Sequence, residues 1–160
     1  MTDSPSAQPT EPEAVNASDT PAPSTGTTDA AGFTDAEHGT LRSAAMLASA
    51  WVSRAEKGMF DSIKESFAAS KAIAGSPPEI AALVAKGGFP ELPKGTPADV
   101  EARTIGLLTE AVALLRAKAP QLVEGYRAMV LQSCQDAAAA ADDTSPNETA
   151  VIAKVEAALS

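Results

Sequence analysis

The sequence has few of the side chains on which nucleophilic catalysis and disulfide-bonded folds depend. It contains one histidine and one cysteine among 160 residues. A lone cysteine excludes an internal disulfide, and one histidine with one cysteine cannot complete a His/Cys zinc site. We therefore interpret His38 as a partly exposed helix residue and Cys134 as a small buried hydrophobic residue, in preference to a catalytic role for either.

Long apolar runs and clusters of basic residues are also absent. No stretch approaches 18 uncharged apolar residues, so no segment is expected to span a membrane. The N-terminal residues have neither the basic nor the apolar region of a signal peptide. The 12 Lys and Arg residues are outnumbered by 21 Asp and Glu residues, which argues against a nucleic-acid partner. We expect a cytoplasmic protein.

The first 32 residues differ in kind from the rest of the chain. They include five of the 12 prolines, many Ser and Thr residues, five acidic residues and no Lys or Arg. Val15 is the only large aliphatic residue after Met1. Such a segment cannot bury enough apolar surface to offset the entropy lost on ordering. We predict a disordered acidic Pro/Ser/Thr-rich tail over 1–32 and one folded domain over 33–160.

Residues 33–160 are rich in alanine and lack the runs of β-branched and aromatic residues that strands favour. Apolar residues instead recur at intervals of three and four, which is typical of amphipathic helices. Several of these segments open with a Ser/Thr–Pro pair or a capping box. The sequence thus predicts an all-α fold, a single compact bundle of about six helices that begin near Thr34, Ser62, Ser76, Thr96, Pro120 and Ser145.

An acidic turn before the last predicted helix is the strongest candidate for a ligand site. Asp142, Asp143, Thr144 and Ser145 precede Glu148, and hard cations such as Ca²⁺ and Mg²⁺ prefer oxygen ligands of this kind. The turn is not an EF-hand, because the required glycine is missing and Lys154 stands where the final glutamate belongs. The alternative is a solvated turn with a capping box.

A second helix–helix corner, over 55–65, repeats the order of this one: alanine, acid, turn, serine, then glutamate three residues later. The corner at 141–148 resembles the helical TerB-like domains of tellurite resistance, which run from an alanine-rich helix through an acidic turn into a Ser-x-x-Glu helix start. The usual Asp-Gly after alanine is Asp142-Asp143 here, and Lys57 in the first corner would oppose a cation. The resemblance implies a non-catalytic, stress-associated role with a divalent cation, such as Ca²⁺ or Mg²⁺, and these candidate metal ligands: Asp61, Glu65, Asp142, Asp143 and Glu148.

We expect a non-catalytic helical binding or adaptor module with a protein partner, and a TerB-like metal-binding stress protein is the alternative. Phe89 and Leu92, in a Pro/Gly-rich loop, either form an exposed apolar patch or cover the bundle. Association with a lipid surface is disfavoured because the polar helix faces are not rich in Lys and Arg. An enzyme would have to rely on carboxylates alone. The sequence leaves the oligomeric state open.

Overall fold

The computed structural model describes residues 32–55, 71–86, 95–140 and 145–160. Within these ranges the chain is helical, with no β-strand, and the predicted all-α bundle is confirmed. Residues 71–74 are also helical and end at Gly75. Residues 1–31 and the predicted helix start at Ser62 lie outside the described residues. The elements are α1 (Asp35–Ala55), α2 (Pro78–Ala85), α3 (Pro97–Lys118), a 3₁₀ turn (Pro120–Leu122), α4 (Val123–Ala139) and α5 (Pro146–Ala158).

Helix α1 lies at the centre of the described bundle and packs against each of the other four described helices. Leu41, Ala44, Ala48 and Val52 on its predicted apolar stripe are fully buried. Alanines at these positions let the neighbouring helices approach closely, since interiors are packed without gaps. The core continues onto the other helices through the fully buried side chains of Val84, Leu108, Leu115, Tyr126, Val130, Val155 and Leu159.

Three helices begin with the predicted N-terminal capping residues. At α1, the Thr34 amide donates to Glu37 Oε2 at 2.8 Å and the Glu37 amide donates to Thr34 Oγ1 at 3.3 Å. The same reciprocal pair opens α3 and α5, with Pro at the first helical position of each. A cap of this kind contributes about 1 kcal/mol. The serine or threonine of each pair, with the acid three residues on, therefore determines where these helices begin.

The predicted cap at Ser76 is wrong. Its hydroxyl donates to the Ala72 carbonyl at 2.6 Å and so serves the end of the preceding helical turn. Helix α2 begins one residue later, because the Pro77 carbonyl accepts the first bonds, from the Ile80 and Ala81 amides, each at 3.0 Å. Within the described ranges, no side chain caps this N-terminus.

His38 is buried, with 1% of its surface exposed, so the prediction of a partly exposed residue is wrong. Helix α2 covers it, and its Nδ1–H donates to the Leu83 carbonyl at 2.7 Å. The Arg42 guanidinium, one turn further along α1, donates to the Val84 and Ala85 carbonyls at 3.1 and 3.2 Å. These carbonyls end α2 and have no acceptor role within the helix. Side chains of α1 therefore cap the C-terminus of α2.

Helix α4 approaches both α1 and α2 closely at specific residues. Tyr126 of α4 is fully buried and its hydroxyl donates to the Leu41 carbonyl of α1 at 2.7 Å. Helix α2 packs against α4 at Gly125, where an added Cβ would lie 3.1 Å from Ile80 Cγ1. Lys118, at the end of α3, donates to the Gly32 carbonyl at 2.7 Å. No helix among the described residues is long and apolar enough to cross a membrane.

Candidate functional site

A pocket of about 370 Å³ opens where α1 ends and where α3 begins. Helix α5 supplies its third wall. All three helices contribute buried side chains to the core, so the pocket lies between packed elements of the bundle. It is lined by Trp51, Arg54, Ala55, Gly95, Pro97, Val100 and Val151.

Trp51 is the largest apolar side chain in the pocket wall, and 7% of its surface stays exposed. Lys154 of α5 places its ammonium 5.8 Å from the centroid of the indole ring. The same ammonium bonds to Glu101 Oε1 of α3 at 2.7 Å. This cation–π contact and ion pair connect the three helices that form the pocket.

The start of α3 shapes the pocket rim at Gly95. Its φ of 141° lies in a region that L side chains rarely adopt, and an added Cβ would lie 2.9 Å from Asp99 Oδ2. Asp99 accepts from the Thr96 amide at 2.8 Å and from the Thr96 hydroxyl at 2.7 Å. These hydrogen bonds lower the pKa of the Asp99 carboxyl below its usual range. The close approach of Gly95 to this cap requires glycine.

Arg54 is the one charged residue among the seven described residues that line the pocket. It lies in the last turn of α1, where a basic side chain is favoured by the helix dipole. Among the described residues, the pocket wall is therefore apolar apart from Arg54.

A cluster of nucleophile-type side chains lies elsewhere, in the core between α1 and α4. Ser49, Ser133 and Cys134 are each no more than 1% exposed. The Ser49 hydroxyl bonds to that of Ser133 and also to the Ala45 carbonyl at 3.3 Å. Burial raises the pKa of the Cys134 thiol to about 12, against a smaller opposite effect of its hydrogen bond with Ser49. These groups satisfy one another inside the core, as the sequence predicts for Cys134.

Of the five predicted metal ligands, Glu148 alone lies in the described part of the chain. Asp61, Glu65, Asp142 and Asp143 fall outside it. Glu148 is fully buried, and its Oε2 accepts from the Ser145 amide at 2.8 Å. Its Oε1 is buried and has no hydrogen-bond partner among the described residues. Among the residues that the structure describes, no three His, Cys, Asp or Glu side chains are placed together as a metal site.

Comparison with protein-family models, with curated proteins and with solved structures gives no match. The resemblance to TerB-like domains therefore stays a prediction that rests on the two corner motifs. Phe89 and Leu92, the other predicted candidates, also lie outside the described residues.

The pocket itself is a feature that the sequence pattern does not predict. Trp51, Val100 and Val151 are each expected on the apolar face of a helix. What brings them together is the relative position of three helix ends that lie far apart in the chain. In the sequence, Arg54 next to the apolar stripe of α1 is the one feature that marks this end of the helix. A basic residue in the last turn is common among surface helices.

Proposed function

We propose that this chain is a non-catalytic helical binding module whose pocket between α1, α3 and α5 receives a large apolar side chain of a protein partner. The observation that carries the proposal is the pocket of about 370 Å³ with Trp51 in its wall. Binding energy at protein interfaces is concentrated in a few apolar anchors that fill such pockets. Ligand pockets are concave and mostly apolar, with few polar groups.

The burial of two residues in the pocket wall supports this use of the pocket. Val100 and Trp51 belong to the core, with 4% and 7% of their surfaces exposed. The ion pair of Lys154 with Glu101 also joins α5 to α3 at the surface. A binding site that is already formed loses little entropy when the partner docks. The absence of a catalytic role for the bundle is part of this proposal and is supported by the burial of His38, Ser49 and Cys134.

A pocket-filling variant with a matched control tests the proposal. Val151→Phe extends a ring from a half-buried position in the pocket wall, and Ile152→Phe adds a ring at the next, equally half-buried position, which does not line it. A displayed peptide library is selected against the full chain and both variants. We expect peptides with a large apolar residue to be enriched on the full chain and on Ile152→Phe, and lost on Val151→Phe. No enrichment, or equal enrichment on all three, contradicts the proposal.

The second candidate is the divalent-metal role that the TerB resemblance implies, with Ca²⁺ or Mg²⁺ at the acidic turn. The observation that favours it is the buried Oε1 of Glu148, which has no hydrogen-bond partner within the part of the chain that the structure describes. An unpaired carboxylate oxygen inside a protein is costly, and a cation would satisfy it. Asp142 and Asp143 precede Glu148 closely in sequence and are the proposed further ligands. The stress-associated role and the cytoplasmic location stay predictions.

Thermal unfolding after EDTA treatment separates this candidate from the first. A ligand that binds only the native state raises the melting temperature by mass action. Millimolar Ca²⁺, Mg²⁺ or Mn²⁺ should raise it by several degrees, and the rise should disappear in the double variant Asp142→Ala with Asp143→Ala. If none of the three cations changes the melting temperature, the metal-binding role is contradicted and Glu148 acts only as a capping residue.

A further inference from the structure

We infer that Lys118 closes a clasp at the start of the bundle, and that the closed clasp holds the C-terminal end of α2 against α1. The clasp consists of Gly32, Phe33, Glu37 and Lys118. It is a conformational device separate from the proposed binding function, because these four residues are not among the described ones that line the pocket. Opening the clasp releases the end of α2 and uncovers apolar side chains that are buried while it is closed.

Lys118, the last residue of α3, makes three contacts with the residues that begin the bundle. Its ammonium donates to the Gly32 carbonyl at 2.7 Å and to Glu37 Oε2 at 2.6 Å, and it lies 5.5 Å from the centroid of the Phe33 ring. Gly32 has a φ of 82°, in the left-handed region that glycine adopts without strain. One ammonium therefore ties the end of α3 both to the backbone before α1 and to the first turn of α1.

Phe33 connects the clasp to the core. Its side chain is fully buried, and its ring centroid lies 5.7 Å from that of His38, with the two rings tilted by 50°. His38 in turn donates to the Leu83 carbonyl of α2 at 2.7 Å. Protein interiors are close-packed, so a buried ring restricts the positions that its neighbour can take. The position of Phe33 therefore bears on the hydrogen bond that His38 makes to α2.

The end of α2 depends on side chains of α1. Helix α2 has eight residues, and helices this short are marginal without tertiary contacts. Its carbonyls at Leu83 and Val84 accept from His38 and Arg42, and the Leu83 and Val84 side chains are buried. A displaced His38 would remove one of these caps and loosen the end of the helix. Lys118, with 31% of its side chain exposed, is the surface end of this series of contacts.

Native-state hydrogen exchange of the full chain tests the inference. A substitution speeds the exchange of an amide when it removes a contact that breaks in the opening that exposes that amide. Lys118→Met removes the ammonium, so the amides over 83–85 should exchange about threefold faster, the size of effect expected for loss of a partly exposed ion pair. Unchanged exchange over 83–85 would overturn the inference, because α2 would then open while the clasp stays closed.

Lys154→Met is the matched control. Lys154 also combines an ion pair, with Glu101, and a contact with an aromatic ring, that of Trp51. These contacts lie towards the opposite ends of α1 and α3 from the clasp, so exchange over 83–85 should stay unchanged in this variant. Equal acceleration in Lys118→Met and Lys154→Met would mean that α2 opens only when the whole bundle unfolds, and the inference would fail.

Phe33→Leu tests whether the ring transmits the effect. Leucine keeps an apolar side chain but removes the ring that contacts both Lys118 and His38. In a double-mutant cycle, Lys118→Met should no longer change the exchange over 83–85 once Phe33→Leu is present. The Nδ1–H signal of His38, the single histidine of the chain, should shift in Lys118→Met and stay in place in Lys154→Met. Additive effects of the two substitutions, or an unshifted imidazole signal, would overturn the inference.

Discussion

The hydroxyl of Tyr126 donates a 2.7 Å hydrogen bond to the Leu41 carbonyl and so joins α4 to the central helix α1. Both residues are fully buried. The bond gives the phenol a partner where water is absent, and burial raises its pKa well above the usual 10.0. Tyr126 is the only tyrosine of the chain, so its ionisation can be followed without interference.

Tyr126→Phe should lower the free energy of unfolding by about 1 kcal/mol, the usual net contribution of such a bond. Urea unfolding followed by Trp51 fluorescence measures it. The raised pKa also has a consequence at high pH. The native state retains a proton that the unfolded state loses above pH 10, so stability should fall as pH rises through that value. Phenolate absorbance that develops while the protein is still folded would contradict the burial of Tyr126.

The Glu37–Lys118 pair predicts a pH dependence at the acid end. A 2.6 Å bond to Lys118, with a second from the Thr34 amide, lowers the pKa of the Glu37 carboxyl below its usual 4.5. A depressed pKa contributes stability above the unfolded value, and this is lost as pH falls through the native one. The contribution is below about 1 kcal/mol, because both side chains are partly exposed to solvent.

Lys118→Met should raise the pKa of Glu37 towards 4.5, as measured by NMR titration of its carboxyl carbon. Lys154→Met is the matched control, since Lys154 pairs with Glu101 instead, and it should leave Glu37 unchanged. A pKa of Glu37 that is the same in both variants and in the full chain would show that Thr34, and not Lys118, determines it.

Two helical glycines should respond oppositely to alanine. At Gly106 of α3 an added Cβ meets nothing within 4 Å, and alanine is favoured over glycine inside an exposed helix by about 1 kcal/mol. At Gly125 the same Cβ would lie 3.1 and 3.2 Å from two Ile80 carbons. We expect Gly106→Ala to raise the free energy of unfolding and Gly125→Ala to lower it, in urea unfolding. A gain at Gly125 equal to that at Gly106 would mean that α2 can move away from α4.

The thiol of Cys134 should react only when the protein opens. It is fully buried and its pKa is raised to about 12, so the reactive thiolate is scarce in the native state. A thiol reagent such as DTNB should label it at a rate that rises with urea in parallel with unfolding. Labelling of the folded protein at the rate of a free thiol would contradict its position between α1 and α4.

Local sequence signals predicted the helix starts well where both partners of a cap lie within four residues, as at Thr34 with Glu37 and at Ser145 with Glu148. Ser76 was mispredicted because its hydroxyl can serve either the helix behind it or the one ahead, and the pattern does not decide between them. The burial of His38 depends on the Leu83 carbonyl, 45 residues away, which no helical periodicity can reveal.

The candidate site was less predictable than the fold for the same reason. Hydrophobic periodicity placed Trp51, Val100 and Val151 on inward faces. It did not show that the ends of three helices leave a space between them. That space depends on where the helices cross one another, and the packing of the whole bundle determines those positions.

The central claim, that the pocket between α1, α3 and α5 binds an apolar side chain, is tested most directly by NMR. The ¹H–¹⁵N spectrum of the full chain is recorded during titration with an acetylated tetrapeptide that ends in phenylalanine. We predict saturable shifts centred on the Trp51 indole and on the amides of Val100 and Val151, preserved in Ile152→Phe and absent in Val151→Phe. Shifts that are missing, or that persist unchanged in Val151→Phe, would contradict the claim.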